Sequence, residues 1–132
     1  MIRAVTGCVV LVWPIGCAAL ADPASECGFT NASQVEIADC VAQAERVTDL
    51  SVNQAYSFVL AAAKELDDVS SGDVSSVTAL EAGQEAWLQY RDHHCDFVGA
   101  TFGGGSGTGI AIRSCRVELS RERARVLMRY AH

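Results

Sequence analysis

The sequence predicts an all-α protein: a small antiparallel helical bundle of about three helices, stapled by two disulfides, with a Gly-rich loop before the last helix. Three observations lead there. Apolar residues recur at steps of three and four along most of the chain, which is the helical period. Four cysteines, Cys27, Cys40, Cys95 and Cys115, remain once an apolar N-terminal stretch is set aside. The run Gly103-Gly-Gly-Ser-Gly-Thr-Gly109 interrupts the helical pattern, because each glycine costs about 1 kcal/mol relative to alanine in a helix.

Residues 1–21 read as a secretory signal peptide. Arg3 supplies a short positive segment, Ala4 to Ala19 is apolar, and Ala19-Leu-Ala21 is an A-x-A-like cleavage site. The apolar run is short for a membrane span, which needs about 20 residues. Ile15-Gly16-Cys17 faintly resembles a lipobox, but Pro14 is wrong for one, so lipoprotein anchoring is disfavoured. The expected location is periplasmic or secreted, with no stable membrane insertion after cleavage. The remaining residues, 22–132, suit one domain.

The first helix opens at a capping box, Ser33 with Glu36, or alternatively Asn31 with Gln34. Its stripe is Val41, Ala44, Val52, Ala55, Val59, Ala62, Leu66 and Val69, widened by Tyr56, Leu60 and Ala63. It runs unbroken to about Val69 or bends near Asp49-Leu-Ser51. Ser70-Ser-Gly72 is a break, and Asp73 is an N-cap candidate for the second helix. That helix places Val77, Leu80, Gln84, Trp87, Leu88, Arg91 and Cys95 near one face. The third carries Ile112, Cys115, Leu119, Val126, Leu127 and Tyr130.

Four cysteines allow three pairings. The sequential one, Cys27 with Cys40 and Cys95 with Cys115, is favoured: it ties an N-terminal arm to the first helix and the second helix to the third. Zinc ligation is disfavoured, since the usual C-x2-4-C spacing is absent. Neither metal nor other cofactor is expected.

The net charge is −6, and it is unevenly placed. Between Asp22 and Asp96 only Arg46, Lys64 and Arg91 are basic; beyond Phe97, six arginines face only Glu118 and Glu122. One reading is mutual neutralisation of neighbouring segments. The other is an acidic face that attracts a basic protein and discourages nucleic acid.

Most motif-like strings fail on their own chemistry. Asp92-His-His-Cys95 spells the motif of membrane palmitoyltransferases without their cysteine-rich zinc domain or spans. His93 and His94 point about 100° apart on a helix and share a metal poorly. The glycine run lacks the Lys-Ser/Thr of a P-loop. Ser106 and Ser114 have no nucleophile elbow around them. No catalytic residue is nominated, and a non-enzyme is expected. Arg91, one turn past Trp87, is placed to lay its guanidinium on the indole.

Taken together, Asp49-Leu-Ser-Val-Asn53-Gln-Ala-Tyr56, Gln84-Glu-Ala-Trp87-Leu-Gln-Tyr90-Arg91-Asp92-His-His-Cys95, Gly104-Gly-Ser106, and Cys115 with Leu119-Ser-Arg-Glu-Arg123 and Leu127 resemble the lysozyme inhibitor LprI-like N-terminal domain family. The likeness spans nearly all of residues 22–132. Val52 and Ser120 stand where leucine and threonine are usual in that family. The resemblance implies an exported bacterial helical domain that binds and inhibits lysozyme. Asp49, Asn53, Tyr56, Gln84, Trp87, Tyr90, Arg91 and Asp92 form its signature and are expected to join helices through a polar network.

The leading expectation is a periplasmic binding protein for lysozyme or another cationic envelope protein. Gly103, Gly104, Gly105, Ser106 and Gly107, flanked by Arg113 and Arg116, form the candidate binding loop. The alternative is a cell-envelope protein-interaction module with a different partner. A third reading puts a small ligand or metal near Trp87, His93 and His94.

Overall fold

The computed structural model describes residues 22–131. The signal peptide expected at residues 1–21 lies outside the described residues. Four helices follow in order: α1 (Pro23–Gly28), α2 (Gln34–Val69), α3 (Ser76–Ala100) and α4 (Thr108–Met128). The N-terminal arm is therefore partly helical, one element more than the three expected.

Local chemistry fixes the first two starts. Asp22 caps α1, accepting from the Ser25 N–H, and Pro23 occupies the first turn, where a missing N–H costs nothing. α2 opens at Ser33 through the reciprocal capping box with Glu36, the first of the two alternatives. It then continues uninterrupted through Asp49 to Val69 and is about 54 Å long at 1.5 Å per residue.

The start of α3 corrects the sequence reading. Ser75, not Asp73, is its N-cap, accepting from the Thr78 N–H. The acidic cap comes from the preceding helix. Asp67 of α2 accepts from the Ser75 hydroxyl at 2.6 Å and from the N–H groups of Ser76 at 2.7 Å and Val77 at 3.1 Å. Those three donors hold its carboxyl down at about 2. A residue eight positions upstream outcompetes the local aspartate because the turn folds α3's first N–H groups back onto it.

The side-chain pairs give the topology. Asp49 meets Arg91, and Asp67 meets Ser76, so α3 runs against α2. Gln84 meets Arg123, and Cys95 is bonded to Cys115, so α4 runs against α3. Glu45 meets Arg113 and Asp49 meets Ser120, so α4 lies parallel to α2. This is an up-down-up bundle, with α1 packed across α2 and α4.

Two modest apolar clusters hold it. Val52, Ala55, Val59 and Leu127 form one, with Tyr56, Leu80 and Trp87 against them. Cys27, Val41 and Ile110 form the other, with Ala24, Ile37 and Ala38. Burying a valine-sized side chain contributes about 1.5–3 kcal/mol, so a core this small gains from covalent help. The disulfides are Cys27–Cys40 and Cys95–Cys115, the sequential pairing. The helical stripe of α2 outruns the bundle: Leu66 is 54% exposed and Val69 83%. Tyr130 falls beyond α4 and is exposed.

Candidate functional site

Two regions collect the sequence-nominated residues, and they differ in kind. The first is a polar seam between the two apolar clusters. Arg91 of α3 donates to Asp49 of α2 at 2.9 Å, to Asp92 at 3.1 Å and to Ser120 of α4 at 3.4 Å. Ser120, fully buried, also donates to Asp49. The guanidinium carbon of Arg91 sits 5.2 Å from the centre of the Trp87 ring, and that of Arg123 sits 5.7 Å from it. Arg123 donates to Gln84 at 2.9 Å. Every helix of the up-down-up core contributes, so the seam fixes helix register as well as charge balance.

Of the signature residues, Asp49, Gln84, Trp87, Arg91 and Asp92 meet in this seam. Tyr56 packs on the neighbouring apolar cluster. Asn53 is exposed on α2. Tyr90 is exposed on α3 and stacks on His94 with ring centres 5.4 Å apart.

The second region is the end of the bundle where α3 turns into α4 through Thr101–Gly107. Gly103 and Gly104 adopt φ of 62° and 78°, conformations that only glycine enters without strain. Residues 103–106 are exposed, as is Phe102. Among the described residues, the N–H groups of Gly104 and Ser106 have no hydrogen-bond partner in the protein. The helix starts earlier than the glycine content suggests: Thr108 and Gly109 already belong to α4. Gly107 caps it without a side-chain hydrogen bond, and its first turn holds no acidic residue. The positive end of a 21-residue helix is thus left uncompensated.

This turn is anchored twice. Cys95–Cys115 clips its base. Gly99 lets α3 and α4 approach: a Cβ there would lie 2.7 Å from Ile112 Cδ1. On sequence Gly99 reads as part of the connection after the second helix; the structure puts it, buried, in the last turn of α3.

Arg113 and Arg116 are not free cations beside the loop. Arg113 donates to Glu45 at 2.5 Å; Arg116 meets Glu45 and Asp92, each at 3.5 Å, and Asp96 at 3.9 Å. The helical period turns them back along α4 onto α2 and α3. Arg121 similarly forms two hydrogen bonds with Glu26 of α1, at 2.9 and 2.8 Å, which hold the Glu26 carboxyl below its usual range. The neutralisation reading of the charge asymmetry therefore describes most of α4.

A cavity of about 490 Å³ opens beside the turn. Ala24, Ile37, Val98, Phe102, Ile110 and Leu119 give it apolar walls, with Asp22, Gln34, His94, Ser114 and Glu118 among its polar lining. Trp87 belongs to the apolar cluster on the far side of the seam, so Trp87 and His94 do not form one site. No group of three or more His, Cys, Asp or Glu among the described residues is arranged to hold a metal.

A family model described as Lysozyme inhibitor LprI matches residues 26–127, a span that includes all four cysteines, the seam and the turn. The chain belongs to the lysozyme inhibitor LprI family. An uncharacterized protein of Rhizobium meliloti (strain 1021) is 35% identical over 95 residues, covering 69% of this chain and 68% of that protein. No solved structure matches.

Membership in the LprI family gives the chain a lysozyme-inhibitor-like character and implies lysozyme as the kind of protein bound. Among the described residues, no helix is long and apolar enough to cross a membrane. Within this LprI-family fold, the signature residues Asp49, Tyr56, Gln84, Trp87, Arg91 and Asp92 are half-buried between helices, while Asn53 and Tyr90 are exposed. The exposed α3–α4 turn carries the motif's glycine–serine step, Gly104 to Ser106, next to Phe102 and Gly103, which lie outside it.

Proposed function

We propose that this chain is exported, loses residues 1–21, and acts without chemistry of its own by binding and inhibiting a lysozyme of the bacterial envelope. The family match over residues 26–127 carries this reading. The leader-like character of residues 1–21 and the two disulfides support export.

The α3–α4 turn is the contact we favour. A lysozyme cleft is built around two carboxylates. The exposed backbone of residues 103–106 approaches such a cleft with little side-chain hindrance. Its spare N–H groups and the uncompensated N-terminus of α4 offer hydrogen bonds and partial positive charge. This supply replaces Arg113 and Arg116, whose charge is spent on Glu45, Asp92 and Asp96. The net negative charge, −6 over the full sequence with Arg3 the one charged side chain in residues 1–21, favours approach of a basic partner at low salt.

A cell-wall turbidity assay with c-type lysozyme tests this. The chain slows clearing, and deletion of Gly104 to Ser106 removes that effect while leaving the thermal midpoint nearly unchanged. Full inhibition by the deletion variant discards the loop contact, and no inhibition by the intact protein discards the activity. Amino-terminal sequencing of protein recovered from the periplasm checks export: it begins at Asp22.

A further inference from the structure

We propose that the cavity beside the α3–α4 turn receives a lysine or arginine side chain of the protein partner. The proposal rests on the reading above that the partner is a basic protein, and it adds which part of that partner is gripped. Four observations support it.

The space is the right kind. At about 490 Å³ it exceeds what one basic side chain needs, and its apolar walls suit an aliphatic stem. The charge is the right sign. Asp22 and Glu118 line it, and no lysine or arginine does. The nearby cation, Arg121, is held by two hydrogen bonds to Glu26.

Glu118 is moreover uncomfortable as an anion. Loss of hydration raises its pKa first, and repulsion from Asp22 and Glu26 raises it further against the attraction of Arg121. An arriving cation relieves that repulsion. Finally, Ser114 lines the cavity one helical turn before Glu118, is 4% exposed, and its hydroxyl has no hydrogen-bond partner. Buried hydroxyls are normally satisfied, so a donor-rich head group reaching this wall supplies a missing contact. Phe102 joins the cavity to the exposed turn, so one partner can span both.

The test uses a small probe and does not require lysozyme. Nα-acetyl-L-arginine amide is titrated into the chain and followed by NMR, with the isosteric neutral Nα-acetyl-L-citrulline amide as control. The expected result is saturable shifts at Val98, Ile110 and Leu119, with the citrulline compound weaker by about tenfold, the scale of one charge-assisted hydrogen bond. Glu118→Gln removes an unfavourable anion and so keeps the fold; it is expected to abolish the difference between the two probes. Ser114→Ala weakens both probes alike.

Equal binding of both probes, or arginine binding unchanged in Glu118→Gln, overturns the proposal. So does the absence of binding. The two readings fail separately. Glu118-dependent arginine binding without lysozyme inhibition sinks the partner, while inhibition that Glu118→Gln leaves intact sinks the cavity.

Discussion

The seam and the α3–α4 turn both combine charge with backbone constraint, and they dispose of it in opposite ways. In the seam, Arg91 is 13% exposed and its hydrogen bonds go to Asp49, Asp92 and Ser120. At the turn, the N-terminus of α4 has no side-chain cap and Gly104 and Ser106 keep free N–H groups, and on the cavity beside it Glu118 is short of hydration and repelled by Asp22. Satisfied polar groups hold a structure together; unsatisfied ones at a surface are available to something else. The difference separates the residues that make this fold from those able to make contacts. The family signature reaches into both sets, through Arg91 in the first and Gly104 to Ser106 in the second.

The comparison can be broken most severely at the clip that joins the two regions. Replacing Cys95 and Cys115 together by serine is expected to cost about 3 kcal/mol in urea unfolding, the usual scale for a loop of this size. Inhibition should fall beyond what unfolding explains, because the turn loses its base. Equal losses of stability and inhibition would show that the clip acts on the fold alone.

Arg91→Ala comes next, at about 1–3 kcal/mol. Asp49 is 43% exposed, so water recovers part of the lost pairing and keeps the effect below that of a fully buried pair. Inhibition by the folded fraction should be unchanged. A direct loss of binding at full folding would place the seam in the interface after all.

Gly99→Ala should cost about 1–3 kcal/mol, since the new methyl meets the branched stem of Ile112, whose χ1 is restricted. The same change shifts α4 relative to α3 and should alter the turn's NMR shifts more than the seam's.

The smallest effect is a matter of pH. Asp67 is ordinarily a carboxylate of 3.8, held in the fold at about 2. Its stabilisation is fully present above the unfolded value and is lost as pH falls through the folded one. Asp67→Ala should therefore lower the thermal midpoint at neutral pH and flatten its fall between those two values. Glu118 has the opposite sign: its raised pKa makes the ionised form a liability, so Glu118→Gln should slightly raise the midpoint at neutral pH.

Much of this was legible in the residues. The period of Val41, Val52, Ala55 and Val59 marks the buried face of α2, and Ser33 with Glu36 marks its start, because both are local patterns of side-chain direction and backbone satisfaction. The helical class followed from spacing; the sequential disulfides were the favoured one of three pairings, and the packed helices decided it. The family was legible in Trp87, Tyr90, Arg91 and their neighbours.

What spacing could not decide was which charges meet. The cap of α3 from Asp67, the pairing of Arg113 and Arg116 with α2 and α3, and the convergence of Asp22, Ser114 and Glu118 on one cavity all join residues on different helices. Helix formation is written in near neighbours, which a sequence displays directly. Charge pairing and cavities arise where rigid helices cross, and only the packed bundle sets those distances.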